Sequence, residues 1–97
     1  MAKVAKCSDA ELQAGLEKLP GWTLAGGKLH REYKFKDFVA AFGFMSSAAL
    51  VAERMNHHPE WFNVYGTVRV HLTTHEAGGI SELDFQLAAH MDAMAGR

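Results

Sequence analysis

Residues 56–76, NHHPEWFNVYGTVRVHLTTHE, hold four of the chain's six histidines. His57 and His58 are adjacent and precede Pro59, and His75 stands at the far end of a strand-like run. Imidazole, with an ordinary pKa of ~6.5, both gives and takes a proton near neutrality. Several imidazoles around one pocket suit a reaction that delivers one proton and removes another. Each positioned acid or base typically contributes about 10²–10⁴-fold. Glu53, one helical turn before His57, is placed to orient an imidazole or to hold a donor-rich ligand edge. Trp22, Trp61, Phe62 and Tyr65 are aromatic candidates for the wall of a flat-ring pocket; Trp22, after Pro-Gly, is first a core residue, and Trp61 and Phe62 serve a core equally well.

A zinc site is the sharper rival, since three histidines hold zinc and leave a position open. The spacing argues against it. No H-x-H pattern occurs, and no H-x-x-x-H falls on one helix. His71 and His75 are four apart on an extended run, roughly 13 Å, too far to chelate one ion. Adjacent His57 and His58 tend to point apart. No Ser or Cys beside the cluster reads as a nucleophile, and no Gly-rich phosphate loop is present. His30 and His71 fall mid-strand on a polar face and His90 on a helix, where structural roles suffice.

The local pattern says what positions these residues. Residues 8–19 read as a helix: Ser8 and Glu11 form a capping box, Leu12, Leu16 and Leu19 share a face, and Pro20-Gly21 ends it. Residues 22–35 read as a hairpin turning at Gly26-Gly27, with Leu29, Tyr33 and Phe35 facing a core. Residues 37–55 read as the longest helix, capped by Asp37 and ended by Asn56 and Pro59. Its stripe is taken as Phe38, Phe42, Met45, Ala49 and Ala52, with small residues at 43 and 46–48 allowing close approach.

Residues 61–74 read as a second hairpin with a type II′ turn at Gly66-Thr67. A single strand bulged at Gly66 is the alternative. Val68, Val70 and Leu72 alternate with polar residues, as in a half-buried strand. Residues 81–94 read as the last helix: Ser81 caps, Asp84 reaches back, and Leu83, Leu87, Met91 and Met94 are its buried stripe. Ile80 and Phe85 suit a hydrophobic staple. The order α-β-β-α-β-β-α implies an α+β fold, a four-stranded antiparallel sheet with three helices on one face. The hairpin at 61–74 folds back, so its geometry brings 57–58 toward 75.

With 97 residues, one domain (1–97) is expected. Hydrophobic residues make up 48% and charged residues 22%, ordinary globular usage. So short a chain buries its surface incompletely, and oligomerisation would help. The formal charge of −1 and the lack of a basic tract give direct nucleic-acid binding little support. The apolar stretch 38–52 is broken by Gly43, Ser46 and Ser47 and reads as too short to span a bilayer, which needs about 20 residues. No signal peptide is evident, and the lone Cys7 forms no internal disulfide. The expectation is a cytoplasmic protein with no membrane partner.

The stretch from Phe35 to Asp84 resembles the pterin-4a-carbinolamine dehydratase family. The family pattern is an acidic residue, three spacers, His-His-Pro, an aromatic, a His and an Asp. It is met by Glu53, His57-His58-Pro59, Tyr65, His75 and Asp84. The likeness runs from about Trp22 to the last helix, and the first helix is less diagnostic.

The resemblance implies dehydration of 4a-hydroxytetrahydropterins, such as 4a-hydroxytetrahydrobiopterin, to quinonoid dihydropterins in tetrahydrobiopterin recycling. It implies no metal and no organic cofactor. It assigns His57, His58 and His75 as catalytic. It assigns Glu53, Pro59, Thr74, Glu76, Ala77 and Asp84 as substrate-binding. It also implies homodimers or homotetramers. The family's animal members act as dimerisation partners of a homeodomain transcription factor, so the alternative is a non-enzymatic coactivator module. For a eukaryotic source, nuclear location would be added to cytoplasmic.

Overall fold

The computed structural model describes residues 4–97. Helix α1 spans Asp9–Glu17, strand β1 Thr23–Ala25, strand β2 Lys28–Lys34 and helix α2 Phe38–Met55. Strand β3 spans Glu60–Val64, strand β4 Thr67–Leu72 and helix α3 Glu82–Ala95, with a 3-10 turn at His75–Ala77 before α3. The strands form one antiparallel sheet in the order β1-β2-β4-β3. The α-β-β-α-β-β-α order and the open antiparallel sheet are those expected from sequence.

Period-two patterning decides which face of the sheet is covered. Leu29 and Tyr33 of β2 and Val68, Val70 and Leu72 of β4 are buried. They join Ala41, Phe44, Ala48, Ala52, Leu87, Ala88 and Met91 of the helices in one core. The opposite face carries His30, Glu32, Glu60, Phe62, Arg69 and His71, none of them buried. Phe62 lies there under the Arg69 guanidinium, 5.2 Å from the ring centre, so it is not a core residue.

Both capping boxes form, at Ser8/Glu11 and at Ser81/Asp84. Asp37 caps α2, and Asn56 ends it in the left-handed region at φ 51°. Gly26 and Gly27 take φ of +58° and +77°, as the two-residue hairpin turn requires.

Two expectations are corrected. The second hairpin turns at Tyr65-Gly66, one residue earlier than Gly66-Thr67, because Val64 pairs with Thr67. Tyr65, at φ 49°, takes the left-handed position. Gly66 serves close approach instead: Phe35 N–H donates to its carbonyl at 2.7 Å, and a Cβ there would collide with the Phe35 carbonyl oxygen. The buried face of α2 is Ala41, Phe44, Ala48 and Ala52, while Phe38 and Phe42 stay about half exposed at 49% and 53%. With 18 residues and a mean hydropathy of 1.3, α2 is long and apolar enough to cross a membrane by length and composition, contrary to the reading of that stretch as too short. Here it packs one face into the core.

The C-terminal half of α3 is tied to the sheet by Asp92. Trp22 Nε1–H and Arg31 Nη1–H donate to its Oδ1 at 3.0 and 3.1 Å, and the Tyr33 hydroxyl donates to the same oxygen. Burial, then the bond donated to Asp92, push the Tyr33 phenol well above its ordinary pKa. Trp22 is thus a core residue and not a pocket wall. Removing one partner of a buried ion pair strands the other, typically at 3–5 kcal/mol. Asp92→Ala is therefore expected to lower unfolding free energy by about 3 kcal/mol or more, read as a lower urea midpoint.

Candidate active site

The chain leaves α2 through Asn56 and enters β3 through Pro59, so 57–59 is a short, rigid connection. His57 turns inward and His58 outward. His57 is 8% exposed, and its Nε2–H donates to Asp84 Oδ1 at 2.5 Å. His58 is exposed, and its Nε2–H donates to Glu53 Oε1 at 2.8 Å. The two neighbours therefore point apart, and Glu53 orients His58, not His57.

Asp84 has no exposed surface. Its Oδ2 accepts from Thr74 Oγ1–H at 2.7 Å and from the Ser81 N–H at 2.9 Å. The Thr74 proton is spent on Asp84, so the Ser81 hydroxyl donates to Thr74 Oγ1, 2.7 Å away. Among the described residues no buried side-chain polar atom lacks a partner. His57 Nδ1 has no hydrogen-bond partner there, so that nitrogen reaches solvent.

Thr74 precedes the 3-10 turn that carries His75, Glu76 and Ala77 and ends at Gly78, φ +78°. A bridge from Thr74 to Gly79 closes this turn. His75 is open to solvent, with Nε2 3.6 Å from Glu60 Oε2. Glu60 also accepts from Lys28 Nζ at 2.6 Å. That bond, above all, holds the Glu60 carboxyl below its ordinary pKa.

The hairpin thus brings 57–60 and 74–75 to one end of the sheet, as its fold-back requires. The links are His57–Asp84–Thr74 on the inner side and Glu60–His75 on the outer side. A cleft of about 560 Å³ opens beside them, between the segment preceding α1, the β1–β2 turn and residues 78–80. Lys6, Asp9, Lys28, Thr73 and His75 line it; His57 and His58 do not. Tyr65, at the opposite end of β3, is remote from this region.

Among the described residues no three His, Cys, Asp or Glu side chains are placed to hold a metal. Cys7 is partly buried, and burial with the nearby Glu11 raises its thiol pKa. The Asp84–His57 contact leaves no signal in the sequence, where the Ser81 capping box already accounts for Asp84 locally.

These features define an α+β protein, an open antiparallel sheet with helices on one face and imidazole–carboxylate pairs at one end of its second hairpin. Residues 5–94 match the family model described as Pterin 4 alpha carbinolamine dehydratase. The chain belongs to that family of hydro-lyases. A Solibacter usitatus relative named "Putative pterin-4-alpha-carbinolamine dehydratase" is 62% identical over 90 residues, 93% of this chain and 95% of the relative. One of the same name from Rhizobium johnstonii is 52% identical over 97 residues, 98% of this chain and 96% of the relative. The crystal structure of a transcriptional coactivator/pterin dehydratase from Brucella melitensis superposes with a TM-score of 0.91 at 47% identity. The match covers 94% of this chain and 99% of that one.

The open sheet face yields a pH prediction. The rings of His30 and His71 stack at 4.3 Å, and His30 Nδ1–H donates to the Val70 carbonyl at 2.9 Å. Burial, then the charges of His30 and Lys28, lower the His71 pKa. Folding then disfavours protonated His71. Its contribution to stability is complete above its unfolded value, about pH 6.5, and is lost as pH falls through the lower folded value. His71→Gln is expected to flatten the stability slope just below pH 6.5, measured as urea midpoints between about pH 4.5 and 7.5.

Proposed function

We propose that this chain dehydrates a 4a-hydroxytetrahydropterin to the quinonoid dihydropterin by histidine acid/base catalysis, in tetrahydrobiopterin recycling. The observation that carries this reading is the clamp of His57 to buried Asp84, whose other oxygen holds Thr74 beside His75. It fixes two imidazole-bearing segments against each other.

The reaction breaks the C4a–O bond. The hydroxyl takes a proton and leaves as water, and loss of the N5 proton lets that nitrogen's electrons form the C4a=N5 bond. Of His57 and His75, one protonates the departing hydroxyl, and another imidazole accepts the N5 proton, directly or through water. His57 Nδ1, the nitrogen free of Asp84, suits acceptance. His58, with Glu53, chiefly positions the ring. The family resemblance gives Pro59, Glu76 and Ala77 to pterin contact, although none of them lines the cleft beside His75, and Asp84 and Thr74, both buried, act by holding His57 and the turn. No metal or organic cofactor enters the scheme. A reducing compartment, the cytoplasm, suits the single cysteine.

Dehydration rate against pH is the test. His57→Ala and His75→Ala are each expected to lose about 10²–10⁴-fold in kcat. His58→Ala should act mainly on KM. Wild-type rate and pterin affinity in all three variants would refute the assignment.

A second reading rests on the solvent face of α2. Val39 and Leu50 are 79% and 76% exposed, beside half-exposed Phe38 and Phe42. This face suits a homodimer or homotetramer, or a transcription-factor partner of the kind that the Brucella neighbour's description suggests. Pterin binding followed by Trp fluorescence, beside sedimentation with and without such a partner, separates the two. Turnover with tight pterin binding supports the enzyme, and partner-dependent assembly without turnover supports the module.

A further inference from the structure

We propose that Glu60 is the positioning residue for His75, and that Lys28 sets how strongly it acts. The inference deepens the dehydratase reading and rests on it.

Glu60 is unusually well placed for its exposure. It follows Pro59, whose ring fixes the backbone, and it is the first residue of β3, paired in register with His71 of β4. Its carboxylate therefore projects from a rigid strand end. His75 sits on a 3-10 turn with an exposed side chain and no hydrogen bond to it from that turn's own residues. The Glu60 carboxylate, 3.6 Å from Nε2, is just beyond hydrogen-bond distance and within electrostatic reach of the ring. An anion on that side favours the tautomer with the proton on Nε2, which leaves Nδ1 for substrate.

The charged and titratable groups around Glu60 come from three elements. Lys28 and His30 come from β2, His71 from β4 and His75 from the turn. His71 lies directly across from Glu60 but is stacked on His30, 4.3 Å between ring centres, and burial above all lowers its pKa, which weighs against its cation. Lys28 does compete: its ammonium is 2.6 Å from Glu60 Oε1 and holds one oxygen, while Oε2 faces His75. One carboxylate is thus shared between a fixed cation and the imidazole.

The two partners of Glu60 predict opposite effects. Exposed ion pairs are worth about 1 kcal/mol or less, so Glu60→Gln is expected to lower kcat about two- to fivefold with KM within about twofold. Nitrogen-15 NMR of the His75 ring should show the Nε2–H bias of the wild type lost in Glu60→Gln and restored in part by Glu60→Asp. Lys28→Met frees the carboxylate, so the Nε2–H bias should grow. In a His75→Ala background, Glu60→Gln should have no further effect on rate.

Unchanged tautomer populations in Glu60→Gln, or a bias that falls in Lys28→Met, would overturn the proposal. Should His75→Ala keep the wild-type rate, the catalytic reading of His75 fails, and the tautomer populations alone decide whether Glu60 positions the ring.

Discussion

The site depends on one buried carboxylate. Asp84 is removed from water, which is costly for an ion unless its lone pairs are met. Here they are met by an imidazole N–H, a hydroxyl and a backbone N–H. The third position of α3 also lies in the positive field of the helix start, where an acid is favoured. These donors come from three separate places: the segment after α2, the turn after β4 and the cap of α3. A residue that begins as a helix cap therefore locks together the chain segments that carry His57 and His75.

Helix α3 carries a second such clamp at its other end. Asp92 sits in the last turn, where the helix field disfavours an acid. The two neutral donors Trp22 and Tyr33 and the guanidinium of Arg31 offset that. Together the two carboxylates fix α3 to β2 and Trp22 at one end and to the site at the other. The helix cannot slide or rotate without breaking one set, so the core stripe of Leu87 and Met91 has one register against the sheet. Buried polar networks of this kind give specificity of packing where a short chain has a limited apolar core.

What was legible in the sequence follows from the range of the forces involved. Caps, the Gly-Gly turn and strand alternation are set by neighbours within a few residues, and Ser8, Asp37, Ser81 and the 29/33 and 68/70/72 parities all appear as read. The face of α2 was misread because Phe38–Met55 is apolar nearly all round. Several stripes then satisfy a 3.6-residue period, and only the shape of the sheet and α3 selects Ala41, Phe44, Ala48 and Ala52. The second turn was misplaced because a glycine suggests a positive φ, whereas Gly66 is required by a backbone approach from Phe35. The Asp84–His57 bond spans 27 residues and leaves no local trace. The fold-back of the hairpin predicted that the two segments would meet, but not which atoms would join them.

Each of the three histidines at this end of the sheet has its own carboxylate, and the pairs differ in exposure. His57 with Asp84 is buried, His75 with Glu60 combines an open imidazole with a partly open acid, and His58 with Glu53 is exposed on both sides. Screening and side-chain entropy make the same pairing tight in the first case and weak in the last. Adjacent residues 57 and 58 therefore have opposite freedom: one ring is fixed with a single nitrogen presented to solvent, and the other can turn with its partner. The proposed proton transfer would use that inequality. In the proposed mechanism the fixed ring accepts a proton and the freer one accommodates a flat ligand. The backbone geometry of His-His-Pro, with side chains sent to opposite sides of a rigid connection, is what allows both within two residues.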